Sequence, residues 1–471
     1  MIGRNLKYIF HLFAHATMPN MKNTSKTSQK STFPQPIVRA FPDGCTVIRV
    51  PMPAVHSTTV LVLVNTGSRY EDLAQAGISH MLEHMVFKGT KTYPTSMALS
   101  STLDAVGAQY NAFTSKEYTG YYVKTESARM SLAIDVLSQM LTAPLLKADD
   151  LEREKGVIIE EMNMYKDTPS RHIGDVFEGV LYKGSSLEGD VIGTKKTVRG
   201  ISASDLSSYM ERWYGASNLI VVVAGDDRVV DSASLEDELH QIFSVRKGAP
   251  ASELKAMRTE DFNASSLSSK VFLLKEKKTD QAHFMMGVRG VSHTDPRHIP
   301  LNMLSVLFGD TMSSRLFNEV REKRGLCYYV NSLMDTYHDT GVFGAGAGVD
   351  PTRAVEAVEV VRDELFYLLD RVGSRKVTED ELDRAKQWYH GVKVLSLEDS
   401  KSQANYYGMK YLLEGQVKTV EEVFAEIDAV TVQDMIDALA SILKRDQLTC
   451  AMIGSFDAKT QLGLEKIVHA E

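Results

Sequence analysis

Leu219-Ile220-Val221-Val222-Val223-Ala224-Gly225 and Leu448-Thr449-Cys450-Ala451-Met452-Ile453-Gly454 are two short runs, each closed by glycine, in opposite halves of a chain of 471 residues. Continuous apolar runs of this length read as buried strands. Outward from them, more pairs appear in the same order. Asp150-Leu151-Glu152-Arg153-Glu154-Lys155 precedes the first run, and Glu381-Leu382-Asp383-Arg384-Ala385-Lys386 precedes the second. Gly200-Ile201-Ser202-Ala203-Ser204-Asp205 stands before a helical pattern, as Val430-Thr431-Val432-Gln433-Asp434 does later. Phe284-Met285-Met286-Gly287-Val288 matches in position the early run Thr59-Val60-Leu61-Val62-Leu63-Val64. Such ordered echoes imply duplication. Strands and helices mix without strict βαβ alternation, so the expected fold class is α+β. It comprises two duplicated domains, each a largely antiparallel sheet with helices packed on one face, enclosing a cleft.

Local patterns place strands at 45–51, 58–65 and 218–224, and helices at 75–87, 96–106, 127–141, 149–165 and 203–213. Residues 247–269 are polar, carry Gly248 and Pro250, and read as a linker. The expected division is a leader at 1–36, a first domain at 37–246, and a second at 270–471. The first 42 residues carry six Lys or Arg and no Asp or Glu, with Ser and Thr between them. That is the composition of a disordered tail or of an organellar targeting segment.

Hydrophobic residues make up 43% and charged residues 24%, a globular composition too long for one ordinary core. The net charge of −8 argues against a nucleic-acid partner and suits a basic peptide. Cys45, Cys327 and Cys450 are scattered, without the spacing of a disulfide framework or a CxxC site. No run reaches the roughly 18 apolar residues of a membrane span.

The chemistry lies in His80-Met81-Leu82-Glu83-His84. Residues four apart on a helix share a face, so both histidines can present a ring nitrogen to one ion at roughly 2.0–2.1 Å. Glu83, beside the second histidine, can reach a metal-bound water without binding the metal. The order is the reverse of the commoner H-E-x-x-H helix. Met81, Leu82, Met85, Val86 and Phe87 make this helix apolar on several sides, so its polar groups need partners. A catalytic zinc takes three protein ligands and leaves one position open. Glu154 and Glu161, seven apart on one helix face, can both aim at the site, one as ligand and one orienting a ligand or the water.

With these two helices, the chain resembles the pitrilysin family of zinc peptidases over nearly all of residues 37–460. The branch it looks most like holds mitochondrial processing peptidase and its short bacterial homologues. The resemblance implies one Zn²⁺ per chain, held by His80, His84 and Glu161. The last follows His84 with 76 residues between, in Gly156-Val157-Ile158-Ile159-Glu160-Glu161-Met162. It implies Glu83 as the catalytic base and Glu154 as a helper carboxylate. Asn111-Ala112-Phe113-Thr114 resembles the family's substrate-pairing edge strand, and Arg321 and Tyr328 resemble its Arg–Tyr pair that reaches the substrate. Phe308-Gly309-Asp310-Thr311 departs from the glycine-rich loop of the family's inactive subunits. In the repeat register Glu154 and Glu161 fall on Ala385 and Val392, and no second H-x-x-E-H occurs, so the second half is expected to be a non-catalytic wall.

The function expected is a metalloendopeptidase acting on unfolded peptides or presequences. It would be a homodimer in a bacterial cytoplasm or, alternatively, a heterodimer with a related chain in the mitochondrial matrix. The rival reading is a non-catalytic core subunit of the same fold in a respiratory complex.

Overall fold

The computed structural model describes residues 33–53, 55–257 and 271–469. One sheet contains β1 (Ile37–Ala40), β2 (Thr46–Met52), β3 (Ser57–Val64), β4 (Gln109–Thr114), β5 (Thr119–Glu126) and β6 (Leu219–Asp226), in the order β1-β2-β6-β3-β5-β4. The other contains β7 (Val271–Glu276), β8 (Ala282–Gly290), β9 (Cys327–Thr336), β10 (Gly341–Val349) and β11 (Thr449–Gly454), in the order β7-β11-β8-β10-β9. With β1 set aside the two orders coincide, and β2 through β6 correspond to β7 through β11. Neighbouring strands run antiparallel except β2 with β6 and β7 with β11, which are parallel in both sheets. The echoes in the sequence are a repeat of topology, and the α+β duplication holds.

The strands explain how the halves are joined. β3 alternates Val60, Val62 and Val64 toward a core that holds Met81, Leu82 and Leu137, while Leu61 and Leu63 point to the opposite face. That face is covered by the helix Ser400–Glu414 from the second half, through Ala404 and Tyr407. Gly408 lets this helix come close. A Cβ there would lie 2.8 Å from Leu63 Cδ1 and 2.9 Å from Val222 Cγ2. The exchange is mutual. Ile173, Phe177 and Leu181 of the helix Pro169–Leu181 pack on Val342, Ala451 and Ile453 of the second sheet. The expectation of helices on one face therefore describes each half by itself; a helix from the other half covers the second face. Strands with no polar alternation need cover on both sides. Exposing Leu61 or Leu63 would cost about 1.5–3 kcal/mol each.

The helix of the histidine motif is Ile78–Val86 and the long acidic helix is Ala148–Asp167. The stretch read as a linker opens differently. Ala251–Met257 is helical, and Leu254 is buried in the first core, because its apolar side chain finds cover there. Residues 258–269 of that stretch, and 1–32 of the leader, lie outside the described residues. Of the leader's last residues, Pro34 accepts a hydrogen bond from the Tyr407 hydroxyl at 2.9 Å.

Candidate metal centre

The motif helix starts three residues later than its apolar pattern suggests, and the cause is local. Gly77 precedes it at φ +95°, and a Cβ there would meet the Ile192 carbonyl oxygen at 2.7 Å. The two free N–H groups of Gly77 and Ser79 donate to the Glu71 carboxylate at 2.6 and 2.8 Å. A carboxylate suits the positive end of a helix. Burial pushes the Glu71 carboxyl up to about 7, although these hydrogen bonds oppose it. Glu71 stands seven residues before Ile78 in an irregular stretch, and nothing in the sequence reading singled it out.

On this helix His80 and His84 face the same way, with ring centroids 4.6 Å apart. Nε2 of His80 lies 3.8 Å, and Nε2 of His84 3.6 Å, from Oε2 of Glu161 on the long helix. The donor atoms of His80, His84 and Glu161 all fall within 4.8 Å of one another. Donors around a tetrahedral ion at about 2.1 Å stand roughly 3.4 Å apart, so small side-chain movements bring the three into coordinating range. The donor set of two imidazoles and one carboxylate fits zinc. Burial, aided by the neighbouring His84, pulls the His80 imidazole down to about 4, which keeps it neutral with a lone pair available.

Glu154 takes a different place. Its Oε2 lies 3.1 Å from Nδ1 of His84, and its Oε1 lies 2.6 Å from the Lys88 ammonium. Burial pushes this carboxyl up, but His84 and Lys88 outweigh burial and hold it below the usual range. Glu154 thus orients a histidine, an arrangement that fixes the tautomer with the proton on Nδ1 and the lone pair on Nε2. Between the two carboxylates, distance separates the one facing both histidines from the one behind the second.

Glu83 projects beside the cluster, and its Oε2 accepts the Thr114 hydroxyl at 2.5 Å. Burial raises the Glu83 carboxyl, partly offset by Thr114 and His84. A cavity of about 260 Å³ opens here, lined by His80, Thr114, Met162, Tyr165 and Asp175 among others. Thr114 ends β4, which lies at one edge of the first sheet. Ala112 packs toward the motif helix, whereas Phe113 packs on the opposite face with Tyr122 and the second-half helix Ser400–Glu414. The ring of Phe113 lies over Gly120, where a Cβ would meet it at 2.2 Å. Asn111 accepts the Ala112 N–H on its own side chain at 2.9 Å. Arg321 and Tyr328 lie in the second half. Nη1 of Arg321 donates to the Tyr328 carbonyl at 2.8 Å, and Tyr328 is 69% exposed. Among the described residues no hydrogen bond or ion pair joins either to the three-donor cluster.

Comparison with known proteins supplies the relationship. Residues 46–195 match the insulinase family of peptidases, peptidase family M16, and residues 200–388 match the peptidase M16 inactive domain. The chain belongs to peptidase family M16. It is 35% identical over 408 residues to an uncharacterised zinc protease of Streptomyces coelicolor, covering 86% of both chains. It is 32% identical over 411 residues to another of Bacillus subtilis, covering 87% of this chain and 96% of that one. In fold it is similar to a protease from Helicobacter pylori, with a TM-score of 0.79 and 23% identity over 90% of this chain and 100% of that chain. It is also similar in fold to a peptidase M16 inactive domain from Pseudomonas fluorescens, with a TM-score of 0.80 and 19% identity over 90% and 98% of the two chains. The pitrilysin-type resemblance and the short bacterial architecture are therefore both met, and the match to the family's inactive domain runs from residue 200, late in the first half, to residue 388 in the second.

Proposed function

We propose that this M16 peptidase is a zinc-dependent metalloendopeptidase that cleaves unfolded peptides, with Glu83 as the general base. One observation carries the reading. Three donor atoms of zinc-ligand type converge within 4.8 Å, and a fourth group, Glu83, stands beside them with one oxygen held by Thr114. The relatives from Streptomyces coelicolor and Bacillus subtilis are named as zinc proteases, which supports the choice of metal. His80, His84 and Glu161 would hold one Zn²⁺ per chain. A bound zinc supplies polarisation of the peptide carbonyl and a lowered pKa for water.

The chain's own residues do the rest. Peptide pairs with the open edge of β4 as an added strand, its backbone matched to the N–H and C=O groups along Asn111, Ala112 and Phe113. Because the Phe113 side chain packs away from the cluster, that residue contributes through its backbone. Glu83 accepts the proton of the attacking water and passes it to the leaving amine, and burial, which raises its pKa, makes it a better base for that exchange. Thr114 keeps one carboxylate oxygen occupied, so the other receives the proton. Glu154 acts on the reaction only through His84. Arg321 and Tyr328 would meet the substrate from the second half once a peptide spans the two. A second chain of the same kind, in a homodimer, would complete the chamber, and a bacterial cytoplasm is the proposed setting. No helix among the described residues is long and apolar enough to cross a membrane. The complete set of His80, Glu83, His84 and Glu161 weighs against a purely structural subunit.

The test is cleavage of an unfolded basic peptide with bound zinc measured in the same sample, comparing wild type with Glu83→Gln. The variant is expected to keep its zinc and lose cleavage by roughly 10²–10⁴-fold. A wild-type protein that takes up no zinc when metal is added back would end this reading.

A further inference from the structure

The turn 115–118 joins β4 to β5, and the turn 337–340 joins β9 to β10. These hairpins hold corresponding places in the two sheets, and their tips meet. Glu117 and Asp339 each stand two residues before the returning strand, so they are counterparts in the repeat. Both carboxylates converge on one guanidinium from the first half. Arg69 donates from Nη1 to Glu117 Oε1 at 2.7 Å and to Asp339 Oδ1 at 2.8 Å, and from Nη2 to Asp339 Oδ2 at 2.5 Å. The backbone N–H of His338 donates to both Glu117 oxygens at 3.2 Å, and its Nδ1 lies 2.6 Å from Oε1. Arg69, Glu117 and the side chain of Asp339 are all buried. Glu117, His338 and Asp339 have a metal's donor types, but Arg69 lies between the carboxylates and supplies the positive charge. Beside this cluster the Lys116 ammonium reaches the carbonyls of Leu187 and Gly189 at 2.8 and 2.9 Å. It also lies 3.1 Å from Glu178, whose other oxygen accepts the Tyr337 hydroxyl at 2.8 Å.

We propose that Arg69, Glu117 and Asp339 form a clasp across the two halves that positions the peptide-binding edge strand. They would be positioning residues, and the proposal rests on the peptidase reading above. Among the described residues β4 has β5 as its sole strand neighbour, and an edge strand held on one side opens readily. Glu117 lies three residues beyond Thr114, so a clasp on the hairpin tip holds both the pairing edge of β4 and the hydroxyl that fixes Glu83. A bidentate guanidinium–carboxylate contact sets direction as well as distance, which a single point charge does not. The clasp thereby ties the alignment of β4 to the second half, where Arg321 and Tyr328 reside.

Hydrogen exchange and peptide affinity, measured together on the zinc-loaded full chain in the Glu83→Gln background, test this. The probe is a fluorescent, unfolded basic peptide. Arg69→Met is expected to speed exchange over residues 111–118 and 337–340 and to leave zinc content and exchange in the helix Ala148–Asp167 unchanged. It should weaken peptide binding roughly tenfold or more. Asp339→Asn, which keeps shape and acceptor, should move the same readings in the same direction by less, and it replaces Arg69→Met if that variant does not fold. Faster exchange at the tips with unchanged peptide affinity would reduce the clasp to a structural pin and overturn the proposal. Unchanged exchange at both tips would overturn it too. If the Glu83→Gln parent binds no peptide and the wild type cleaves none, the peptidase reading has failed, and the clasp has no substrate strand to position.

Discussion

The long helices Ala148–Asp167 and Glu379–Ser396 occupy the same place in the two halves and do different work. In the first, Glu154 is buried against His84, and Glu161 faces both histidines. In the second, the counterparts are Ala385, 3% exposed, and Val392, 43% exposed. The first α-helix after β3 and the first after β8 differ likewise. Ile78–Val86 carries the histidine pair, whereas His298–Ser305 buries Leu301, Met303 and Leu304 in its own core. The same scaffold, built twice, brings two histidines and a glutamate together once among the described residues. Function here belongs to a handful of side chains grafted on a fold that is indifferent to them.

That contrast can be broken one residue at a time. Glu161→Val gives the first half the side chain of the second at that position. It is expected to reduce zinc affinity beyond the roughly 100-fold typical of losing an outer-shell partner. Competition against a chromogenic chelator measures it, and zinc binding at wild-type strength would strike Glu161 from the ligand set.

The burial of His80 has a consequence in acid. Its folded pKa is lowered to about 4, while the unfolded chain titrates near about 6.5. Between those values the unfolded state binds more protons, so the metal-free protein loses stability as pH falls from about 6.5 toward about 4. The loss attributable to His80 is at most of the order of 3 kcal/mol. Urea unfolding of metal-free wild type and His80→Gln at several pH values isolates it, because Glu71, whose raised pKa acts with the opposite sign, is common to both. Parallel pH dependences would show that burial does not hold His80 neutral.

Glu154→Ala copies Ala385 into the first half. Zinc affinity should fall by about 10–100-fold, less than for Glu161→Val, because His84 keeps its place as ligand and loses only its orienting partner. An effect as large as that of Glu161→Val would exchange the roles assigned to the two carboxylates. The smallest change is expected in the other direction. Val392→Glu restores a carboxylate to the second half at an exposed position and should shift stability by no more than about 0.5 kcal/mol. It should also leave the zinc content unchanged, since among the described residues no histidine pair is grouped with it. A second zinc equivalent would mean that the wall is closer to a metal site than its side chains indicate.

Much of the fold was legible along the chain. The paired runs at 219–225 and 448–454 became β6 and β11, and both lie at equivalent places in their sheets. Local periodicity suffices for such elements because a buried strand must be apolar along its length. The exchange of Pro169–Leu181 and Ser400–Glu414 between the halves was not legible. Amphipathic spacing shows that a helix has a face to bury, and it does not say which sheet will receive it. The late start of the motif helix depended on the positive φ of Gly77 and on Glu71, neither of which interrupts the apolar pattern.

The sequence by itself determined the chemistry on offer: two histidines one turn apart, a glutamate beside the second, and two more glutamates two turns apart on another helix. Those are consequences of helical pitch and residue type, which act over a few residues. Only the tertiary structure put Glu161 toward both imidazoles and Glu154 behind His84, brought Thr114 onto Glu83, and joined Glu117 and Asp339 through Arg69. These contacts link residues tens to hundreds of positions apart, and their partners are chosen by packing and by the need to pair every buried charge, which no local period records.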